Sequence, residues 1–253
     1  MMPSGSNSPF STPDSSLNSD TNSGSKSTQL IAKVLSPAVQ LWLRSQLETV
    51  EELHVKISGE NRQLLKGYIP AVTVSANQAV YQGLHLGKIF LTGSNIRINI
   101  GQVLKGKPLQ ILEPIPVSGE LLLLENHLNL SLKSPLLANA ICEFLAPILH
   151  LNKSGAGWAL KNSQVNIESK SLILKGELIS PTGQLIAFVL NTGLEVLEGR
   201  YLKFVNTQLK TSTPIESNLE GLTIDLGQEV NILEVSFLPD KLICRGQVNV
   251  LPA

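Results

Sequence analysis

From residue 52 onward the chain alternates. In "ELHVKISG" Leu53, Val55 and Ile57 share one face and His54 and Lys56 the other; "SNIRINI" repeats this with Ile96, Ile98 and Ile100, and "NHLNLSL" with Leu128, Leu130 and Leu132. A period of two sends successive side chains to opposite faces of a strand, so these segments predict strands covered on one side and wet on the other. That is the signature of an antiparallel sheet with one apolar face. Further segments of the same kind are "AVTVSA", "GLHLGKIFL", "GELLLL", "SQVNIES", "SLILKGELIS", "QLIAFVL", "GLEVLEGRYLKFV", "GLTIDLG", "VNILEVSFL" and "KLICRGQVNV". A sheet this long must have its apolar face covered by something else in the chain.

Two stretches supply covers. "SPLLANAICEFLAPIL", residues 134 to 149, is too short and carries Glu143 too near its centre to be a spanning helix, which takes about 20 mostly apolar residues. On a helix its apolar residues form two adjacent rows, Leu136, Ala140, Phe144, Ile148 and Leu137, Ile141, Leu145, Leu149, with Asn139, Cys142, Glu143 and Ala146 opposite. Ser134-Pro135 opens it as cap and first helical residue. "QLIAKVLSPAVQLWLRSQLETV" has the same design, with rows Leu30, Val34, Ala38, Trp42 and Ile31, Leu35, Val39, Leu43, Leu47. Pro37 falls off the stripe, which leaves a kinked helix from about 29 or a new start capped by Ser36. The expected fold is therefore α+β, a long curved antiparallel sheet packed around two amphipathic helices at about 29–48 and 135–149.

Residues 1–28, rich in Ser, Asn, Thr, Gly and Pro, have almost nothing to bury and are expected to be a disordered tail, leaving residues 29–253 as one domain. Within it, two helix-then-strands blocks follow one another, as degenerate repeats matched through Ser36 with Ser134 and Gly83 with Gly193, or as one continuous unit. No basic start followed by an apolar run precedes residue 29, so no secretory signal is read and a cytoplasmic location, peripheral to a membrane, is expected. Cys142 and Cys244 have no metal-ligand spacing and suit a reducing compartment or a single disulfide.

Composition narrows the function. The 20 basic and 20 acidic side chains balance, so no global field recruits nucleic acid. Hydrophobic residues make up 42% but aromatics only 4%, so stacking platforms for bases or sugars are scarce and the apolar surface is aliphatic, which suits acyl chains. No Gly-x-Ser-x-Gly elbow, phosphate loop or HExxH is present, and "SGAGW" at 154–158 lacks the spacing of a nucleotide loop. His54, His85, His127 and His150 are scattered and read as structural or surface residues, so neither a metal nor a cofactor is expected.

Several stretches in order resemble one family. These are "VEELHVKISGENRQLLKGYIPAVTVSANQAVYQGLHLGKIFLTGSNIRINIGQVLKGKPL", with the Gly59–Gly67 segment and the Tyr81-x-Gly83-Leu84 turn, and the closing "LGQEVNILEVSFLPDKLICRGQVNVLP" from Leu226-Gly227 through Cys244. They are similar to the LmeA-like phospholipid-binding family, most of all to its branch in photosynthetic bacteria, over about residues 29–253. The resemblance implies a curved sheet on helices like that of tubular lipid-binding proteins, affinity for phospholipid, and no catalytic residues.

On residues alone the two aliphatic stripes read first as core; the resemblance favours a groove between helices and sheet. The expected lipid-binding residues are Trp42, Leu136, Leu137, Ile141, Phe144, Leu145 and Ile148. Arg62 and Lys66, four apart beside Gly59 and Gly67, are the expected head-group pair. Lys105 and Lys107 form a second small basic loop; neither pair reaches the cluster of about 4 to 8 cations that makes an electrostatic anchor, so membrane binding is expected to be nearly insensitive to salt. The sequence-level expectation is non-enzymatic binding of phospholipid or another acyl-chain lipid; the alternative is a protein–protein interaction module using the curved sheet surface.

Overall fold

The structure, a computed structural model, describes residues 35–151, 157–212, 219 and 221–252. The expected tail at 1–28 lies outside them. The described chain is mostly antiparallel sheet with a few helices.

The first sheet has six strands in the order β1-β2-β3-β4-β11-β10. β1 (Glu52–Ser58) buries Leu53 and Ile57 and exposes His54 and Lys56, as its alternation predicts. β2 (Tyr68–Tyr81) and β3 (Leu84–Arg97) form a long hairpin closed by Gln82 and Gly83, whose positive φ values (50° and 73°) match the twist of the flanking strands. β4 (Ile115–Leu124) pairs with β3 on one side and, on the other, with β11 (Lys241–Val250), which brings β10 (Val230–Leu238) with it. Arg245 on β11 ties this region across three strands, to Glu120 on β4 (2.7 Å) and Glu234 on β10 (2.7 Å).

Helix α1, described over residues 35–45, lies on the inner face of this sheet. Leu35 and Val39 are buried, with Trp42 and Leu43 packed beside them, so the expected stripe is the buried one and Pro37 stays exposed. Ser36 is already inside the helix rather than capping it. The sheet curls around α1: β2 and β11 are three strand spacings apart, about 14 Å on a flat sheet, yet Val72 and Val248 line one cavity beneath the helix.

The second sheet is a five-stranded meander of β5 (Ala159–Ile167), β6 (Leu172–Ile179), β7 (Leu185–Leu197), β8 (Tyr201–Thr211) and β9 (Thr223–Asp225). Its cover is α5 (Pro135–Ile148), whose start is as expected: Ser134 Oγ accepts from Leu137 N at 3.1 Å and Pro135 follows. The phase differs from the expected one. Cys142 (3% exposed) and Ala146 (0%), assigned to the wet face, are buried, whereas Leu136 (45%) and Ala140, assigned to the stripe, are exposed. The contact face runs through Cys142, Leu145, Ala146 and Leu149, spaced as neighbours on one side of a helix.

One expected strand segment is strand except at its end, and another is helical. "SNIRINI" leaves the sheet after Arg97, with Ile98 in a single bridge to Ile111 and Ile100 opening the short α3 (Ile100–Val103). "NHLNLSL" lies in α4 (Glu125–Ser131), because its polar residues satisfy the edge of β5. The Asn129 amide donates to Val165 O and accepts from Val165 N (both 2.8 Å), and the Glu125 carboxylate accepts from Ile167 N (2.8 Å). These side chains take the place of a neighbouring strand and block the edge. On its other side α4 reaches β3, where Ser131 Oγ accepts from His85 N at 2.8 Å, so this one helix fastens the two sheets together. Both blocks thus run helix, then meander. Gly83, however, is a hairpin residue while Gly193 lies inside β7; the glycine of the β6–β7 turn is Gly183 (φ +85°).

Candidate functional site

The cavity under α1 has a volume of about 210 Å³. The helix contributes Val39, Trp42 and Leu43; the opposing wall is built by alternate residues of neighbouring strands, among them Val72 and Val74 of β2, Leu91 of β3, Val117 of β4 and Val248 and Val250 of β11. Ile98, Leu109 and Ile111, from the segment that leaves β3, line it as well. Among the described residues no ionisable or hydrogen-bonding side chain except the Trp42 indole lines it, and an apolar cavity of about 150 Å³ can stay dry and bind a small apolar molecule. Part of the space exists because β3 carries Gly93: a Cβ there would stand 3.3 Å from Ile96 Cδ1 and 3.5 Å from Ile115 Cγ2, inside the lining.

The structure separates the expected lipid residues into two groups. Trp42 lines the cavity under α1. Leu137, Ile141, Phe144, Leu145 and Ile148 come together in the other apolar cluster, between α5 and the five-stranded sheet. There Leu145 is fully buried and Phe144 stacks on Phe204 of β8, ring centroids 4.5 Å apart. Leu136 projects instead toward an open depression shared with Leu130, Lys133 and Gln82. Cys142 and Cys244 are free thiols, both pushed up in pKa by burial. Arg62 lies on the short α2 (Asn61–Leu65) and Lys66 directly follows it; both are exposed, and Leu64 between them is buried in the cluster that holds α1.

The strand half of the cavity is missed by the sequence reading, because alternation says that a face is covered and not how tightly. Gly93 is the available signal: a glycine inside a strand marks a bulge, a close approach or, here, space left unfilled. Among the described residues no group of three or more His, Cys, Asp or Glu is placed to hold a metal, and no helix is long and apolar enough to cross a membrane.

The model of the LmeA-like phospholipid-binding family matches residues 27–247. The chain belongs to this family. The match takes in α1, α5 and both sheets up to residue 247 of β11, just short of the cavity residues Val248 and Val250. No curated protein and no solved structure matches the chain. As a member of the LmeA-like family the chain has phospholipid as its partner class.

Proposed function

We propose that this protein binds phospholipid without transforming it, and that part of an acyl chain occupies the cavity between α1 and the curled six-stranded sheet. The observation that carries this reading is the cavity, whose lining is aliphatic apart from Trp42. In this reading α1 and the sheet work in the manner of tubular lipid-binding proteins, and the α5 residues Leu137, Ile141, Phe144, Leu145 and Ile148 serve as core. Each methylene removed from water gains about 0.8 kcal/mol, so a segment of about six gains roughly 5 kcal/mol. That alone corresponds to sub-millimolar affinity at best, so the rest of the lipid must be held outside the cavity.

Mass spectrometry of an organic extract from natively purified protein tests the reading. Phospholipid at a substantial fraction of one per chain is expected. Val74→Phe, which pushes a ring into the cavity from β2, should cut the retained amount severalfold while the protein remains folded. An extract without lipid, together with no uptake of a fluorescent fatty-acyl probe, would sink the proposal.

A further inference from the structure

One end of the six-stranded sheet gathers basic residues that the sequence keeps apart. Gly67, just after α2, accepts from Ile98 N at 2.9 Å, which sets α2 beside the start of α3. Beyond α3 the chain folds back on Asn99, whose Nδ2 donates to Pro108 O (3.0 Å) and whose Oδ1 accepts from Gln110 N (2.8 Å). Lys107 N donates to Gln102 O at 3.0 Å within the same turn. Arg97, at the end of β3, lies over the Tyr68 ring, 5.0 Å from its centroid. Arg62, Lys66, Arg97, Lys105 and Lys107 therefore share this end, and all are exposed. Against them the segments 59–69 and 96–114 carry two acids, Glu60 and Glu113. Among the described residues none of the five cations has an ion-pair partner, whereas Arg200 and Arg245 elsewhere do.

Between these cations stand exposed leucines: Leu65 (54%), Leu104 (58%) and Leu112 (55%). Single exposed leucines are ordinary on a protein surface. Three at one end, two of them preceding a lysine in the chain, match the interfacial arrangement in which apolar side chains enter the acyl boundary and cations meet phosphates. The same segments supply Ile98, Leu109 and Ile111 to the cavity, so the cavity reaches this end.

We propose that this end docks on an anionic phospholipid bilayer, with Leu65, Leu104 and Leu112 entering its interface and the five cations on its phosphates. The proposal rests on the phospholipid reading and adds where the protein meets its lipid. Positive charge and exposed apolar tips together fit a negatively charged bilayer surface and place the cavity against its acyl layer. The salt insensitivity expected from the sequence assumed separate basic pairs; with the pairs gathered, binding is salt-dependent.

The test is co-sedimentation of the full chain with phosphatidylcholine vesicles, with and without phosphatidylglycerol, across a salt series. Binding is expected to need phosphatidylglycerol and to weaken with salt. Lys105→Glu with Lys107→Glu should lower affinity by roughly tenfold or more, from about fivefold for each cation lost near the surface. Leu65→Ser with Leu104→Ser should lower it comparably, while Lys170→Glu with Lys175→Glu, exposed on the other sheet, should leave it unchanged. Thermal melts confirm that each variant is folded. Equal binding by all variants overturns the proposal, as does undiminished binding to neutral vesicles. Binding to no vesicle also overturns it, and leaves this end to an acidic protein. Lipid in the native extract is read separately: vesicle binding that follows the variants without extracted lipid keeps the docking end and removes the cavity reading, and the reverse does the opposite.

Discussion

Gly93 sits inside β3 without a side chain of its own, and Ile96, the side chain a new Cβ would press at 3.3 Å, itself borders the cavity and has space to yield. Gly93→Ala should therefore raise stability, because glycine in a strand interior costs about 0.5–1 kcal/mol through its freedom in the unfolded chain. For a domain of this size that is a rise of roughly 1–4 °C in thermal midpoint. The same methyl occupies cavity space, so less lipid should be retained; a melt and an extract on one preparation check both signs. His127 makes a second case. Its Nδ1 is buried without a partner among the described residues, and burial, then the nearby His85, hold its pKa below the usual value. A lowered histidine contributes fully above the unfolded value of about 6.5 and loses its contribution as pH falls through that value toward the folded one. Urea midpoints at about pH 7.5 and 5.5 should fall further on acidification for the wild type than for His127→Gln. Equal falls would place the acid sensitivity elsewhere.

Among the elements, α5 offers the sharpest contrast. Ala140 belongs to the row that periodicity alone would bury, and it is exposed; Ala146 belongs to the row left wet, and it is fully buried. Ala146→Asp should cost several kcal/mol by placing a charge without a partner in the α5 core, whereas Ala140→Asp should change the urea midpoint little. Similar losses from both would restore the sequence-derived phase. The existence of α1 and α5 was legible because their aliphatic stripes are long and Ser134 marks a start. The phase of α5 was not, because burial follows what the helix packs on: its deeply buried residues begin at Cys142, while Leu136 points to an open depression. Leu128, Leu130 and Leu132 satisfy a period of two, but Leu128 and Leu132 are also one helical turn apart. The tie is broken by Asn129 and Glu125 reaching β5, a partner far along the chain that local spacing does not reveal. The basic end is the same lesson in reverse: Arg62, Lys66, Lys105 and Lys107 are visible as residues, and only the fold makes them one surface.

At the scale of the whole molecule, the two sheets share fastenings: α4 between β3 and β5, Ile232 N on Gly199 O, and Asp240 N on Ile167 O at 3.1 Å. Trp42 lies in the cluster under the six-stranded sheet and Trp158 in the one under the five-stranded sheet, and these are the 2 tryptophans of the chain. Urea unfolding of Trp42→Phe and Trp158→Phe, each followed by the remaining indole, should therefore show a single transition with the same width, and midpoints apart only by the cost of each substitution. Two transitions within one variant's combined fluorescence and circular dichroism would mean that the halves come apart independently. The cavity adds a matter of timing. Arg245 of β11 meets Glu120 of β4 across 125 residues of chain, and β11 brings Val248 and Val250 to the wall. A ribosome must therefore make α4, α5 and the whole second sheet before that wall exists, and until then β4 presents a bare aliphatic edge. An acyl chain held there as proposed could not be sealed in while the first sheet emerges; it would have to enter a finished protein.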